Sequence, residues 1–266
     1  MDFIELNGGR FGYICAGQGT PVLLLHGLGS SLLDWQPQID HLSRSFRVYA
    51  LDLRGHGRSE PLRARLRLAD LAEDVAEFIR AKEIEPCFVV GISMGGMIGF
   101  QLLASHPDIA RGFVAINSTP SFPLDSFALR CRLVLRLLLI RLLGLRALGW
   151  LLARKLFPHA GQAALRAQTA ARIAGNDRTS YLHALRAIPG WSAWPALENV
   201  ATPMLIVSGD RDYTPLAYKR DYVRKLRNAR LVVIEDSGHA TPLDQPTQLN
   251  AVLERFLADP DAALAG

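Results

Sequence analysis

The 266 residues have ordinary globular composition, nearly half apolar and about a fifth charged, enough for one large α/β domain with an insertion or for two small domains. Cys15, Cys87 and Cys131 are far apart, odd in number and without metal-ligand spacing, which excludes a disulfide framework and a zinc site. The net charge of +5 is uneven: residues 121–195 hold 11 Arg or Lys against Asp125 and Asp177, a local +9, while the remainder carries −4.

The chain starts Met1-Asp-Phe-Ile-Glu-Leu-Asn-Gly-Gly, with neither a basic n-region nor an apolar h-region, so a reducing cytoplasm is the expected location. Residues 3–6 and 10–15 read as two short strands joined by an Asn-Gly hairpin signal at Asn7-Gly8-Gly9. Pro21-Val-Leu-Leu-Leu-His26 is a continuous apolar run suited to a strand buried on both faces, and it ends in the loop His26-Gly27-Leu28-Gly29-Ser30-Ser31. A helix is expected through Trp35 and Ile39 to Leu42. The strand Phe46–Asp52 then leads into a second glycine-punctuated loop, Leu53-Arg-Gly-His-Gly-Arg-Ser59. Leu68 to Ile84 is amphipathic at helical spacing, with Leu71, Val75, Phe78 and Ile79 on one side.

Cys87–Ile92 reads as a buried strand and the residues from Met94 as a helix, with Gly91-Ile-Ser93-Met-Gly95 between them, a match to G-x-S-x-G. A strand turning sharply into a helix strains the serine backbone and leaves no room for side chains two residues either side. The serine hydroxyl is thereby held out of the turn, near the positive end of a helix dipole. A further strand, Gly112–Asn117, closes this half of the chain.

From about Pro120 to Pro195 no strand is predicted. The alternation resumes with Pro203–Gly209 as strand, Leu216–Leu226 as helix, Arg230–Glu235 as strand and Pro246–Leu257 as helix. The pattern predicts an α/β fold with a mainly parallel sheet covered by helices on both faces. Residues 1–119 and 196–266 form its core, and 120–195 form an all-helical insertion. Ligands in such sheets bind at the C-terminal strand ends, so the insertion is expected to form a cap, or lid, over the site. Its first half, Leu129 to Phe157, is dense in leucine and interrupted by Arg130, Arg132, Arg136, Arg141, Arg146, Arg154 and Lys155. No uncharged stretch is long enough to span a membrane. At 100° per residue the arginines do not share a face, and Gly144 and Gly149 are expected to break the segment into shorter helices. The readings open for it are cap helices with solvated arginines, an apolar acyl pocket with a basic rim, or a surface for an acidic acyl carrier or an anionic membrane. No nucleic-acid partner is expected.

A serine hydroxyl is a poor nucleophile until a base takes its proton, and the base needs an orienting acid. Among seven histidines, His239 in Asp236-Ser-Gly-His-Ala-Thr-Pro242 follows the last strand and is the candidate base. His26 and His56 sit beside glycines and are expected to shape their loops, while His41, His106, His159 and His183 are assigned no chemistry. Gly209-Asp210-Arg211-Asp212 follows the penultimate strand and offers two carboxylates that position alone does not separate, with Asp236 a third, awkwardly close to His239. Ser…Asp…His is the chain order expected for a triad on this kind of sheet. Oxyanion donors are expected from the backbone N–H of Met94, the residue after the serine, and of Leu28 in the early loop.

Four motifs in order, His26-Gly-Leu-Gly, Asp52-Leu-Arg-Gly-His-Gly-Arg-Ser, Gly91-Ile-Ser-Met-Gly-Gly and Gly209-Asp-Arg-Asp…Gly238-His239, resemble the α/β-hydrolase family across the whole core. The resemblance implies that the acid closes a G-x-x-D pattern, which selects Asp212 over Asp210. It implies no cofactor and no metal. Serine rather than aspartate at the elbow sets the chain apart from haloalkane dehalogenases and epoxide hydrolases. The closest likeness is to small capped esterases and lactonases, including 3-oxoadipate enol-lactonases and hydrolases acting on acyl carriers. The expectation is a serine hydrolase cleaving a small-molecule carboxylic ester through an acyl-enzyme on Ser93, His239 and Asp212, with a medium or long acyl chain. Alternatives are a small anionic lactone, a C–C bond substrate, an acyl-carrier ester or thioester, a cofactor-free oxygenase, or a non-catalytic ligand-binding module on the same fold.

Overall fold

The computed structural model describes residues 1–265. Eight strands form one sheet: β1 (Asp2–Leu6), β2 (Gly9–Ala16), β3 (Pro21–Leu25), β4 (Arg47–Leu51), β5 (Cys87–Ile92), β6 (Ala110–Ile116), β7 (Met204–Gly209) and β8 (Ala229–Ile234), in the order β1-β2-β4-β3-β5-β6-β7-β8. The β1–β2 and β2–β4 pairs are antiparallel, and every pair from β4–β3 to β7–β8 is parallel. At the β1–β2 hairpin Asn7 and Gly8 both have positive φ, 48° and 72°, the signature of a turn whose twist matches its strands.

The central strands are apolar on both faces because both faces are covered. In β3, Leu23 and Leu25 enter the core under α2 (Leu68–Ala81) and α3 (Met94–Ser105), while Val22 and Leu24 enter the opposite core under α1 (Gln36–Leu42) and the C-terminal helix at Pro246–Ala258. Period-two side chains on a two-sided sheet give the unbroken apolar runs seen in the sequence. Helix boundaries differ from expectation by a turn or less: a 3₁₀ turn at Leu32–Trp35 precedes α1, and α2 stops at Ala81 rather than Ile84.

Adjacent strands β6 and β7 are separated in sequence by α4 (Phe127–Leu156), α5 (Ala163–Ala174), α6 (Arg178–Ala187) and the short α7 (Trp194–Leu197). These helices hold a separate apolar cluster of Ile140, Leu145, Leu148, Ile173, Tyr181 and Leu185. They rest on the loops that follow β3 and β4: the Asn176 side-chain amide donates to the Gly29 carbonyl at 2.9 Å, and the Leu62 N–H donates to the Ser180 hydroxyl at 2.9 Å. Arg172 also pairs with Asp34.

Gly144 breaks α4 as expected, at φ 75° and ψ −176°, a region open essentially to glycine alone. Gly149 does not. It lies inside the second helical segment, where a Cβ would come 2.7 Å from the Ala170 carbonyl oxygen, so its smallness serves contact with α5 rather than a break. A Cβ at Gly144 would meet no atom within 4 Å, so Gly144→Ala isolates the backbone term. Urea unfolding is expected to show a loss of about 1–3 kcal/mol, and unchanged stability would contradict the kink.

Candidate active site

Ser93 stands between β5 and α3 at φ 53° and ψ −115°, a strained conformation for a residue with a side chain. The neighbours that make it possible are Gly91 and Gly95. A Cβ on Gly91 would lie 2.4 Å from the Gly95 carbonyl oxygen, and one on Gly95 would lie 2.2 Å from the Leu25 carbonyl oxygen. Ser93 is pinned on both sides: its N–H donates to the Ile116 carbonyl at 2.9 Å, and the Ser118 hydroxyl donates to the Ser93 carbonyl at 2.8 Å.

The loop after β3 runs alongside, with Gly27 so placed that a Cβ would be 3.9 Å from the Ser93 hydroxyl oxygen. Among the described residues, neither the Leu28 nor the Met94 N–H donates to a protein acceptor, so both remain available at this position. His26 holds the loop. The Leu53 N–H donates to its Nε2 at 3.0 Å, which puts the ring proton on Nδ1 facing the Gly27 carbonyl at 2.8 Å. Burial pushes its pKa down to about 4, and that of His56, edge-on to it at 5.2 Å, down to about 3. Both rings are neutral structural groups, as expected for the two loop histidines.

Beyond β7 and β8 the three candidate acids separate. Asp212 Oδ1 meets His239 Nδ1 at 2.6 Å. Asp210 instead accepts the Ser237 N–H at 2.9 Å, and Asp236 pairs with Arg211 at 2.6 Å. Asp212 is fully buried, and its second oxygen receives Nζ of Lys219, also fully buried, at 2.5 Å. Lys219 lies on α8 (Leu216–Val223) and donates further to the Ser208 hydroxyl at 2.6 Å. Burial raises the Asp212 pKa, but the hydrogen bond and charge of His239 and the charge of Lys219 outweigh it and hold the carboxyl below its usual range. Lys219 itself is pushed down by burial, against the pull of Asp212.

Asn117, at the end of β6, ties the two loops together. Its amide donates to the carbonyls of Gly238 and His239 at 3.1 and 2.9 Å, and its oxygen accepts the Gly209 N–H at 2.9 Å. The His239 loop then enters α9 (Thr241–Asp244), followed by α10 (Pro246–Ala258). Asp244 accepts the Gly238 N–H at 2.7 Å and the Ser237 hydroxyl at 2.9 Å, fixing the turn before His239. Sequence reading missed Asn117, Lys219 and Asp244. Only Lys219 carried a signal, an uncompensated cation seven residues beyond Asp212 on a helix expected to pack on the sheet.

Tyr213 stacks on the His239 imidazole with centroids 4.0 Å apart and 27° between planes. More than half of its surface is accessible, and desolvation with the Asp212 charge pushes its hydroxyl above the usual tyrosine range, offset by Arg136 and Ser93. A cavity of about 100 Å³ opens beside it, lined by Lys155, His159, Arg211, Tyr213 and His239. A larger surface recess of about 460 Å³ at Gly8, Arg54 and Leu62 touches none of these groups.

Removing Lys219 tests the buried pair. Asp212 ionises more readily in the folded chain than in the unfolded one, so its charge stabilises the fold at neutral pH, and that contribution is lost as pH falls through the folded pKa. Lys219→Met takes away a charge that holds the pKa down. The acid-side loss of stability is expected to begin at higher pH, with about 3–5 kcal/mol lost at neutral pH. Urea unfolding across acid to neutral pH reads both, and an unchanged profile would contradict the pairing.

The alpha/beta hydrolase family profile matches residues 22–252. A protein of Serratia proteamaculans bearing the name carbamate hydrolase RutD is 32% identical over 255 residues, covering 91% of this chain and 93% of its own. The (E)-2-((N-methylformamido)methylene)succinate hydrolase of Acinetobacter baylyi is 24% identical over 258 residues, covering 92% and 93%. The enol-lactonase structure from Burkholderia xenovorans LB400 superimposes with a TM-score of 0.88 at 24% identity, covering 97% of this chain and all of that one. The profile match takes in the elbow and both loops beyond β7 and β8, and this chain belongs to the alpha/beta hydrolase family.

Proposed function

We propose that the protein hydrolyses a carboxylic ester by covalent catalysis on Ser93. The observation that carries this reading is the 2.6 Å contact between His239 and the buried Asp212, on loops that face a serine held in a strained elbow. His239 Nε2 takes the Ser93 proton as the hydroxyl oxygen attacks the ester carbonyl, and Asp212 fixes the tautomer and stabilises the imidazolium. The Leu28 and Met94 N–H groups hold the oxyanion. His239 then returns the proton to the leaving alcohol; water next attacks the acyl carbonyl as His239 takes its proton, and that proton passes to the Ser93 oxygen as its bond to the acyl group breaks and the acid leaves.

Residues 120–195 act in this reading as the cap that selects substrate. The inward face of α4 offers Leu133 and Leu137, part of the cap cluster, as a wall for an acyl chain. A second reading, a small anionic ester or lactone, is favoured by Arg136. It is half-buried on that inward face, donates to the Tyr181 hydroxyl, and leaves its Nε buried without a partner. Tyr181 in turn covers Gly29 of the oxyanion loop, where a Cβ would be 2.7 Å from its ring. A cation so placed suits a substrate carboxylate. The Acinetobacter relative is named for a succinate derivative.

Hydrolysis of p-nitrophenyl esters from acetyl to palmitoyl, beside mono-p-nitrophenyl esters of dicarboxylic acids, tests both readings. Ser93→Ala is expected to cut turnover at least about 10³-fold with the unfolding midpoint retained; undiminished turnover would overturn the assignment. Arg136→Met is expected to lower kcat/KM about 10–100-fold on the hemi-esters and far less on neutral esters. Equal losses on both would remove the anionic reading.

A further inference from the structure

The leucines of α4 do not all line the cap interior. Before the kink at Gly144, Phe127, Val134, Leu135, Leu138 and Leu142 are between 47% and 82% exposed. Positions 127, 134, 135, 138 and 142 fall within about 100° of arc at helical spacing, a continuous apolar stripe facing away from the body, with exposed Cys131 on the same arc. Arg130 and Arg141 run along one edge and Arg132 along the other, all exposed, while Arg136 lies on the opposite, inward side. The arginines share no face even within this first segment, because they flank the stripe on both edges and Arg136 lies inward. Ended at Gly144, the first segment separates an outer apolar stripe from its basic rim.

We propose that this outer face of α4 docks on an anionic lipid surface. A surface helix of a soluble domain ordinarily turns its apolar stripe to the core, and this one presents a second stripe to the outside. Charge identifies the occupant. From residue 126 to 176 there is no acidic residue against nine Arg or Lys, so a second copy of the chain would bring two positive faces together. A bilayer interface supplies what the stripe and rim require at once, acyl chains for the leucines and phosphates for the arginines reaching up beside them. The mode is lateral: no helix is long and apolar enough to cross a membrane. Residues 127–143 would lie along the surface, with the exposed Trp150 and Leu151 beyond the kink.

The test is flotation of the full chain with phosphatidylcholine vesicles, with and without phosphatidylglycerol, at low and physiological salt, alongside sedimentation velocity without lipid. The expected result is at least about tenfold greater partition onto the phosphatidylglycerol vesicles, weakening as salt rises. The Leu135→Gln/Leu138→Gln/Leu142→Gln variant is expected to lose that partition about tenfold or more while keeping its turnover of soluble esters. Arg130→Gln/Arg132→Gln/Arg141→Gln is expected to abolish the preference for phosphatidylglycerol, and it decides the matter if the leucine variant fails to fold. No partition by the native chain, or equal partition by the variants, would overturn the proposal. So would self-association abolished by the leucine substitutions without vesicle binding, or binding to an acidic acyl carrier protein in place of vesicles. Vesicle binding is read without substrate, so its failure is distinct from failure of the proposed hydrolysis.

Discussion

A buried carboxylate needs its charge answered, and the answer given to Asp212 organises one end of this molecule. One oxygen takes the Lys219 ammonium and the other takes His239 Nδ1, with no water-exposed surface on the acid side chain. Leaving either oxygen bare in that environment would cost several kcal/mol. The loops after β7 and β8 are therefore not free to move apart, and Asn117 at the end of β6 bridges the same two loops from below. Geometry at His239 is a by-product of satisfying a buried charge.

The second constraint is steric. The turn from β5 into α3 brings backbone so close to Gly91 and Gly95 that any side chain there would overlap carbonyl oxygens. What is gained is a serine side chain lifted clear of both strand and helix at the first turn of α3. Parallel pairing does the rest. Because β3, β5, β6, β7 and β8 all run the same way, the loop after β3, the elbow, Asn117, Asp212 and His239 emerge on one edge of the sheet despite sequence separations of up to about two hundred residues.

This explains what could be read from the chain. The elbow and the two-sided strands were legible because their causes are local: a steric requirement for glycine at fixed offsets, and a period-two burial pattern. Asp212, Asp210 and Asp236 could not be separated by position, since all three lie near the same loops; the family's G-x-x-D pattern selected Asp212, and the fold shows it meeting His239. Asn117 acts through contacts across distant stretches and leaves no pattern in a single sequence, while Lys219 and Asp244 act on near neighbours through turns whose geometry only the fold shows. Gly144 and Gly149 looked alike, yet one supplies a backbone conformation and the other a close helix contact. In α4 before Gly144 the arginines flank the apolar stripe on both edges and Arg136 lies inward, so they share no face and the stripe they border was not read from them.

The most direct test of a nucleophilic Ser93 is covalent. Incubation of the native chain with a fluorophosphonate, followed by digestion and mass spectrometry, is expected to give one phosphonylated site, Ser93, labelled far more slowly in His239→Gln with its fold intact. Label on another residue, or an active enzyme that takes none, would contradict the account.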